Sequence, residues 1–150
     1  MNARRRRGFT LVEVLIVVVI MAVLAATIIP QFADSTNDAK VSTGQFNVHT
    51  IQSQIELYKA QHDGKLPGDD LAELLAKTDS TGAISPTGPY GPYIQEMPEN
   101  PFNHKATIDE VTADPTTATV STDGWIYNKN SGVIFLNHVD FLPPAAPPSS

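Results

Sequence analysis

Arg4-Arg-Arg-Arg-Gly-Phe-Thr-Leu-Val-Glu-Val-Leu-Ile-Val-Val-Val-Ile-Met-Ala-Val-Leu-Ala-Ala-Thr-Ile-Ile-Pro30 is the stretch that decides the fold. Four arginines lead into Gly8, and the 21 residues from Phe9 to Ile29 carry only three polar side chains, Thr10, Glu13 and Thr27. As a helix this run is about 31 Å long at about 1.5 Å per residue, which matches the hydrocarbon core of a bilayer. Arginines on one flank hold that end in the cytoplasm. A secretory signal peptide has a shorter apolar core and a small-residue cleavage site after it. Here the run is longer, and Pro30-Gln31-Phe32 follows it. An ordinary single-pass anchor accounts for the length and the arginines but not for Glu13. A carboxylate near the middle of a span costs about 2.5 to 3.5 kcal/mol on insertion scales. Glu13 lies one turn inside, where the cost is smaller, yet an ionisable residue in a span is a functional candidate that needs a partner.

Gly8-Phe9-Thr10-Leu11-Val12-Glu13, after a basic leader and before an apolar run, resembles the class III signal of type IV pilins and pseudopilins. The resemblance implies that a prepilin peptidase cuts after Gly8 and methylates the new amine of Phe9. It makes Glu13 the fifth mature residue and Pro30 the residue that kinks the helix. It also implies that Glu13 finds its partner only on assembly, in the Phe9 amine of a neighbouring subunit.

The chain has 150 residues and a net charge of −6, from ten basic and sixteen acidic residues. This length suits one domain beyond the anchor, with one modest core. All four arginines precede Phe9, so a chain starting there has six lysines against sixteen acids, a side-chain charge of −10. Nucleic-acid binding needs clustered Lys and Arg, and an acidic domain whose six lysines are scattered is a poor candidate. There is no cysteine, which excludes disulfides, thiol chemistry and thiolate metal sites. Type IV pilins of the motility class often close a C-terminal loop with a cysteine pair, and this chain cannot.

Beyond Pro30 no breaker appears until Gly64, and Val41, Val48, Ile51, Ile55 and Tyr58 share one helical face. The pattern predicts one long helix from Phe9 to about His62, bent near Pro30. Asp70 and Glu73 predict a capping box for a short helix from Leu71 to about Lys77, with Leu71, Leu74 and Leu75 facing the core. The proline-rich stretch Gly88 to Phe102 is neither helix nor central strand. Its Tyr90, Tyr93, Ile94, Met97 and Phe102 predict a loop pinned to the domain. It resembles the Gly-Pro-Tyr-Ile…Pro-x-Asn-Pro-Phe stretch of major pseudopilins. Thr107 to Val111 and Thr116 to Ser121 read as weak strands, and Trp125 to Asn128 with Gly132 to Asn137 as a hairpin around Lys129-Asn130-Ser131. The tail Pro143 to Ser150 is low-complexity and reads as disordered.

No catalytic pattern stands out. His49, His62, His104 and His138 are scattered, and Asp109, Glu110, Asp114, Asp123 and Asp140 read as solvated acids. Major pseudopilins of the best-known type end in an acidic, calcium-binding loop. The acidic pair of that loop is missing after Asn137, so no metal site carries over, and no cofactor is expected.

These readings converge on an α+β, pilin-like subunit whose long N-terminal helix packs on a small antiparallel sheet. Residues 1–8 form the cytoplasmic leader, 9–29 the transmembrane helix, 30–142 a periplasmic domain and 143–150 the tail. The resemblance implies a non-enzymatic subunit of a type II secretion pseudopilus, similar to the general secretion pathway protein G family. Its expected partners are copies of itself in a filament, the prepilin peptidase, an inner-membrane assembly platform and minor pseudopilins. A type IV pilin for motility, adhesion or DNA uptake is the alternative within the class. A membrane-tethered minor pilin acting as a binding module is the alternative outside it.

Overall fold

The computed structural model describes residues 8–68, 70–116 and 120–143, and of residues 29–34 only the helical backbone. The arginine leader before Gly8, Asp69 and nearly all of the proline-rich tail lie outside the described residues. The chain divides into two compact units, Met1–Ala39 and Lys40–Ser150.

Helix α1 runs from Leu11 to Gln61, close to the extent expected from the sequence. Within the first unit its segment Leu11–Ile28 is long and apolar enough to cross a membrane, and none of it is buried within the chain. The bend expected at Pro30 falls among residues whose side chains lie outside the description; the helical assignment continues through them.

In the second unit α1 turns amphipathic. Ile51, Ile55 and Tyr58 are buried, and Val48 packs beside them. They meet Leu71, Leu74, Trp125, Tyr127, Ile134 and Leu136 in one core. Gly44 lies on the same helical face. A Cβ there would come within 2.7 Å of Leu136 Cδ2 and 2.9 Å of a Phe141 ring carbon, so glycine lets the helix approach closely.

The sheet has three strands, β1 (Ile108–Val111), β2 (Trp125–Asn128) and β3 (Val133–Leu136), in the order β1-β2-β3. β2 and β3 form the expected antiparallel hairpin, Trp125 opposite Leu136 and Asn128 opposite Val133. β1 pairs with β2 in parallel, so the sheet is mixed rather than wholly antiparallel. Parallel neighbours need a long crossover, and residues 112–124 supply it. The strand expected over Thr116 to Ser121 lies in this crossover. Residues 117–119 are outside the description, and Thr116, Val120 and Ser121 are not in a strand. The exposed side of β3 is closed by α1: the Ile134 N–H donates to Gln52 Oε1 at 3.1 Å and Gln52 Nε2 donates to the Gly132 carbonyl at 3.1 Å. One outward N–H of this edge strand and the carbonyl just before it are thereby satisfied.

The short helix α2 covers only Ala72–Leu75. The capping box expected from Asp70 and Glu73 does not form. Leu71 takes the N-cap position with φ 55°, Asp70 Oδ1 accepts from the Ala72 N–H, and Glu73 accepts from the Gly68 N–H. The helix stops early because the Leu74 carbonyl accepts from the N–H groups of Tyr93 and Ile94. Leu75 is exposed rather than in the core. The same two bonds fasten the proline-rich loop, whose Tyr93, Ile94, Met97 and Phe102 pack on the core as expected.

His62 is buried and structural: its ring stacks on Tyr58, with nitrogens 2.8 Å from the Tyr58 carbonyl and 2.9 Å from that of Asp79. The Tyr58 hydroxyl donates to the Gly82 carbonyl. Burial first, then the nearby Glu73, push its pKa up from 10.0 to about 12. The folded state therefore holds this proton more tightly than the unfolded chain. The stabilisation is complete below pH about 10 and is lost as pH rises through the folded value. Melting temperature should fall across that alkaline window, and less so in Tyr58→Phe. A Tyr58→Phe curve parallel to wild type would show that the hydroxyl is not the group responsible.

Candidate processing and assembly site

Gly8, Phe9 and Thr10 are exposed and precede the helix. The peptide bond between Gly8 and Phe9 is thus outside any regular structure, and Phe9 is 83 % exposed. Among the described residues, a Cβ at Gly8 would meet nothing within 4 Å, so none of them crowds a side chain at this position.

The helix start is built by Thr10 and Glu13. The Thr10 N–H and hydroxyl both donate to Glu13 Oε2, at 2.8 and 2.9 Å. The Glu13 N–H donates back to Thr10 Oγ1 at 3.3 Å. With Leu11 as the first helical residue, this is a reciprocal capping box at the mouth of the apolar helix. The negative carboxylate also sits in the first turn, where the helix dipole favours it. Glu13 therefore already has partners within its own chain, contrary to the expectation that it acquires one only on assembly. The signal was legible, since Thr-x-x-Glu before an apolar run is the capping-box pattern. Thr27 is satisfied too, its hydroxyl donating to the Leu24 carbonyl at 2.9 Å. Each of the three polar residues in the apolar run thus has a hydrogen-bond partner within the run, as a lipid environment demands.

The calcium loop of the resembled family can be tested against the side chains present. Among the described residues, no three of His, Asp or Glu gather into a group able to hold a metal ion. The Asp114 carboxylate accepts from the Asn128 amide, and Glu110 pairs with the Lys129 ammonium. This donor set does not fit calcium.

Comparison with known proteins places both halves of the chain. Residues 3–29 match the prokaryotic N-terminal methylation motif, and residues 31–124 match the family described as type II secretion system (T2SS), protein G. The type II secretion system core protein G of Pseudomonas aeruginosa is 29 % identical over 104 residues, covering 69 % of this chain and 73 % of that protein. Its namesake from Dickeya chrysanthemi is 28 % identical over 99 residues, covering 66 % and 65 %. That from Vibrio cholerae is 27 % identical over 118 residues, covering 73 % and 80 %. The chain thus spans about two thirds to four fifths of the length of these relatives. No solved structure matches. Because the second family match covers well over half of the residues, the chain belongs to the type II secretion system protein G family.

Proposed function

We propose that the chain is the major structural subunit of a type II secretion pseudopilus, processed at Gly8 and assembled through Glu13. The observation that carries the processing reading is an exposed, non-helical Gly8–Phe9 bond set just ahead of the Thr10–Glu13 box, within residues that match the N-terminal methylation motif. A peptidase needs an extended substrate strand, and the box fixes the helix start two residues beyond that bond. Residues 1–8 act as a cytoplasmic leader, 9–29 span the inner membrane, 30–142 form the periplasmic domain and 143–150 a tail. Cleavage by a prepilin peptidase frees the Phe9 amine, and methylation keeps its positive charge. In the filament that amine pairs with Glu13 of a neighbour, and Pro30 lets the helix bend. Subunits enter the filament from an inner-membrane assembly platform together with minor pseudopilins. The subunit pushes cargo mechanically and carries no catalytic group.

Mature protein from native membranes should begin at Phe9 with a methylated amine, as read by intact mass and the N-terminal peptide. A chain still beginning at Met1, in cells with active prepilin peptidase, would sink the reading. Gly8→Val should keep the wild-type melting temperature and accumulate as the uncut precursor. Normal cutting of that variant would show that glycine is not what the peptidase reads.

A further inference from the structure

Asn128 at the end of β2 and the next two residues each send one link to the end of β1 or to the loop that leaves it. The Asn128 amide donates to Asp114 Oδ1 at 2.7 Å. The Lys129 ammonium pairs with the Glu110 carboxylate. The Asn130 amide donates to the Thr112 carbonyl at 2.8 Å. The backbone adds a fourth link, from the Lys129 N–H to the Val111 carbonyl at 3.1 Å. Asn128 is 4 % exposed, and its Oδ1 accepts from the N–H groups of Asn130 and Ser131, so one side chain both shapes the turn and ties the loop.

The oxygens in this stitch come from two carboxylates and two backbone carbonyls. Hard divalent cations take oxygens of these kinds. Here each oxygen already meets an N–H donor, and one donor carries a full positive charge. A dication at the same place would face the Lys129 ammonium as a like charge.

We infer that Lys129 is the chain's own cation at this place, tying the end of β1 to the hairpin turn without a bound metal. A tethered ammonium is independent of metal supply. It is instead open to salt: the Lys129 and Glu110 side chains are 40 % and 26 % exposed, beside an open pocket of about 360 Å³. Screening length drops from about 8 Å at physiological salt to about 3 Å at 1 M, so the pair weakens as salt rises.

The test is thermal melting of the full-length chain in detergent, in excess calcium or in excess EDTA. Wild type should melt at the same temperature in both. Lys129→Met should melt lower by roughly 2 to 5 °C in either. Lys129→Asp sets a third carboxylate beside Glu110 and Asp114, so it should melt lower in EDTA and regain roughly 5 °C or more in calcium. A wild-type melting point that drops in EDTA would overturn the inference. So would an unchanged Lys129→Met, or a Lys129→Asp variant indifferent to calcium.

Discussion

Glu13→Gln should lose filament assembly while keeping the start of the helix. Glutamine fits the third helical position of a capping box, so its amide oxygen can still accept from the Thr10 N–H. What it lacks is the charge that would meet the Phe9 amine of a neighbour. A hydrogen bond between charged groups contributes about 1.5 to 3 kcal/mol. At about 1.4 kcal/mol per tenfold, subunit association should weaken roughly 10- to 100-fold. Glu13→Val loses both roles, and should insert at least as well while assembling as poorly as Glu13→Gln. Thr10→Val does the reverse, breaking the box that holds Glu13 Oε2 at 2.8 and 2.9 Å while leaving the carboxylate in place. It should retain most assembly. Crosslinking of subunits in membranes checks all three, and the lack of any native cysteine makes introduced cysteine pairs unambiguous reporters. Wild-type crosslinking in Glu13→Gln would mean that Glu13 is only a helix cap.

The largest stability loss from a single polar residue is expected at Asn100. It is fully buried at the end of the proline-rich loop. Its amide donates to the Gly124 carbonyl at 2.8 Å and the Asn137 carbonyl at 3.2 Å, and its Oδ1 accepts from the Phe102 N–H at 2.9 Å. Asn137 continues the network, donating to the Ser121 and Asp123 carbonyls. One side chain thus joins the pinned loop to the start of β2 and the end of β3. Asn100→Ala strands buried groups at about 1 to 3 kcal/mol each, for a total of about 2 to 4 kcal/mol. For a domain of this size melting should fall by roughly 8 to 20 °C. Asn103→Ala, which removes one exposed bond to the Asp123 carbonyl, should shift it by only about a quarter of that. Equal shifts for the two variants would refute the special place given to Asn100.

What the sequence made legible follows from how local each signal is. The apolar run, the α1 face through Ile51, Ile55 and Tyr58, the hairpin around Lys129 to Ser131, and the pinned aromatic residues rest on periodicity and turn chemistry within a few residues. The parallel pairing of β1 with β2 does not, because nothing within Ile108–Val111 says which direction its partner runs. The Asp70–Glu73 box failed for a related reason. Its pattern was right, but the Gly68 N–H captured Glu73, and the Tyr93 and Ile94 N–H groups captured the Leu74 carbonyl from across the fold. At the candidate site the residues Gly8, Phe9 and Glu13 were all legible, and their geometry was not fully read: the Thr10–Glu13 box was there in the letters. The stitch of Asn128, Lys129 and Asn130 was not, since its acceptors lie 14 to 19 positions upstream.

We propose that this subunit drives export. The direct measurement is the distribution of a secreted protein between medium and periplasm in a strain lacking the gene, complemented with wild type or Glu13→Gln. Folded cargo should be trapped in the periplasm, and export should be restored by wild type and not by Glu13→Gln, with surface motility and DNA uptake untouched. Normal export in the deletion strain together with lost motility or transformation would contradict it and favour a type IV pilin.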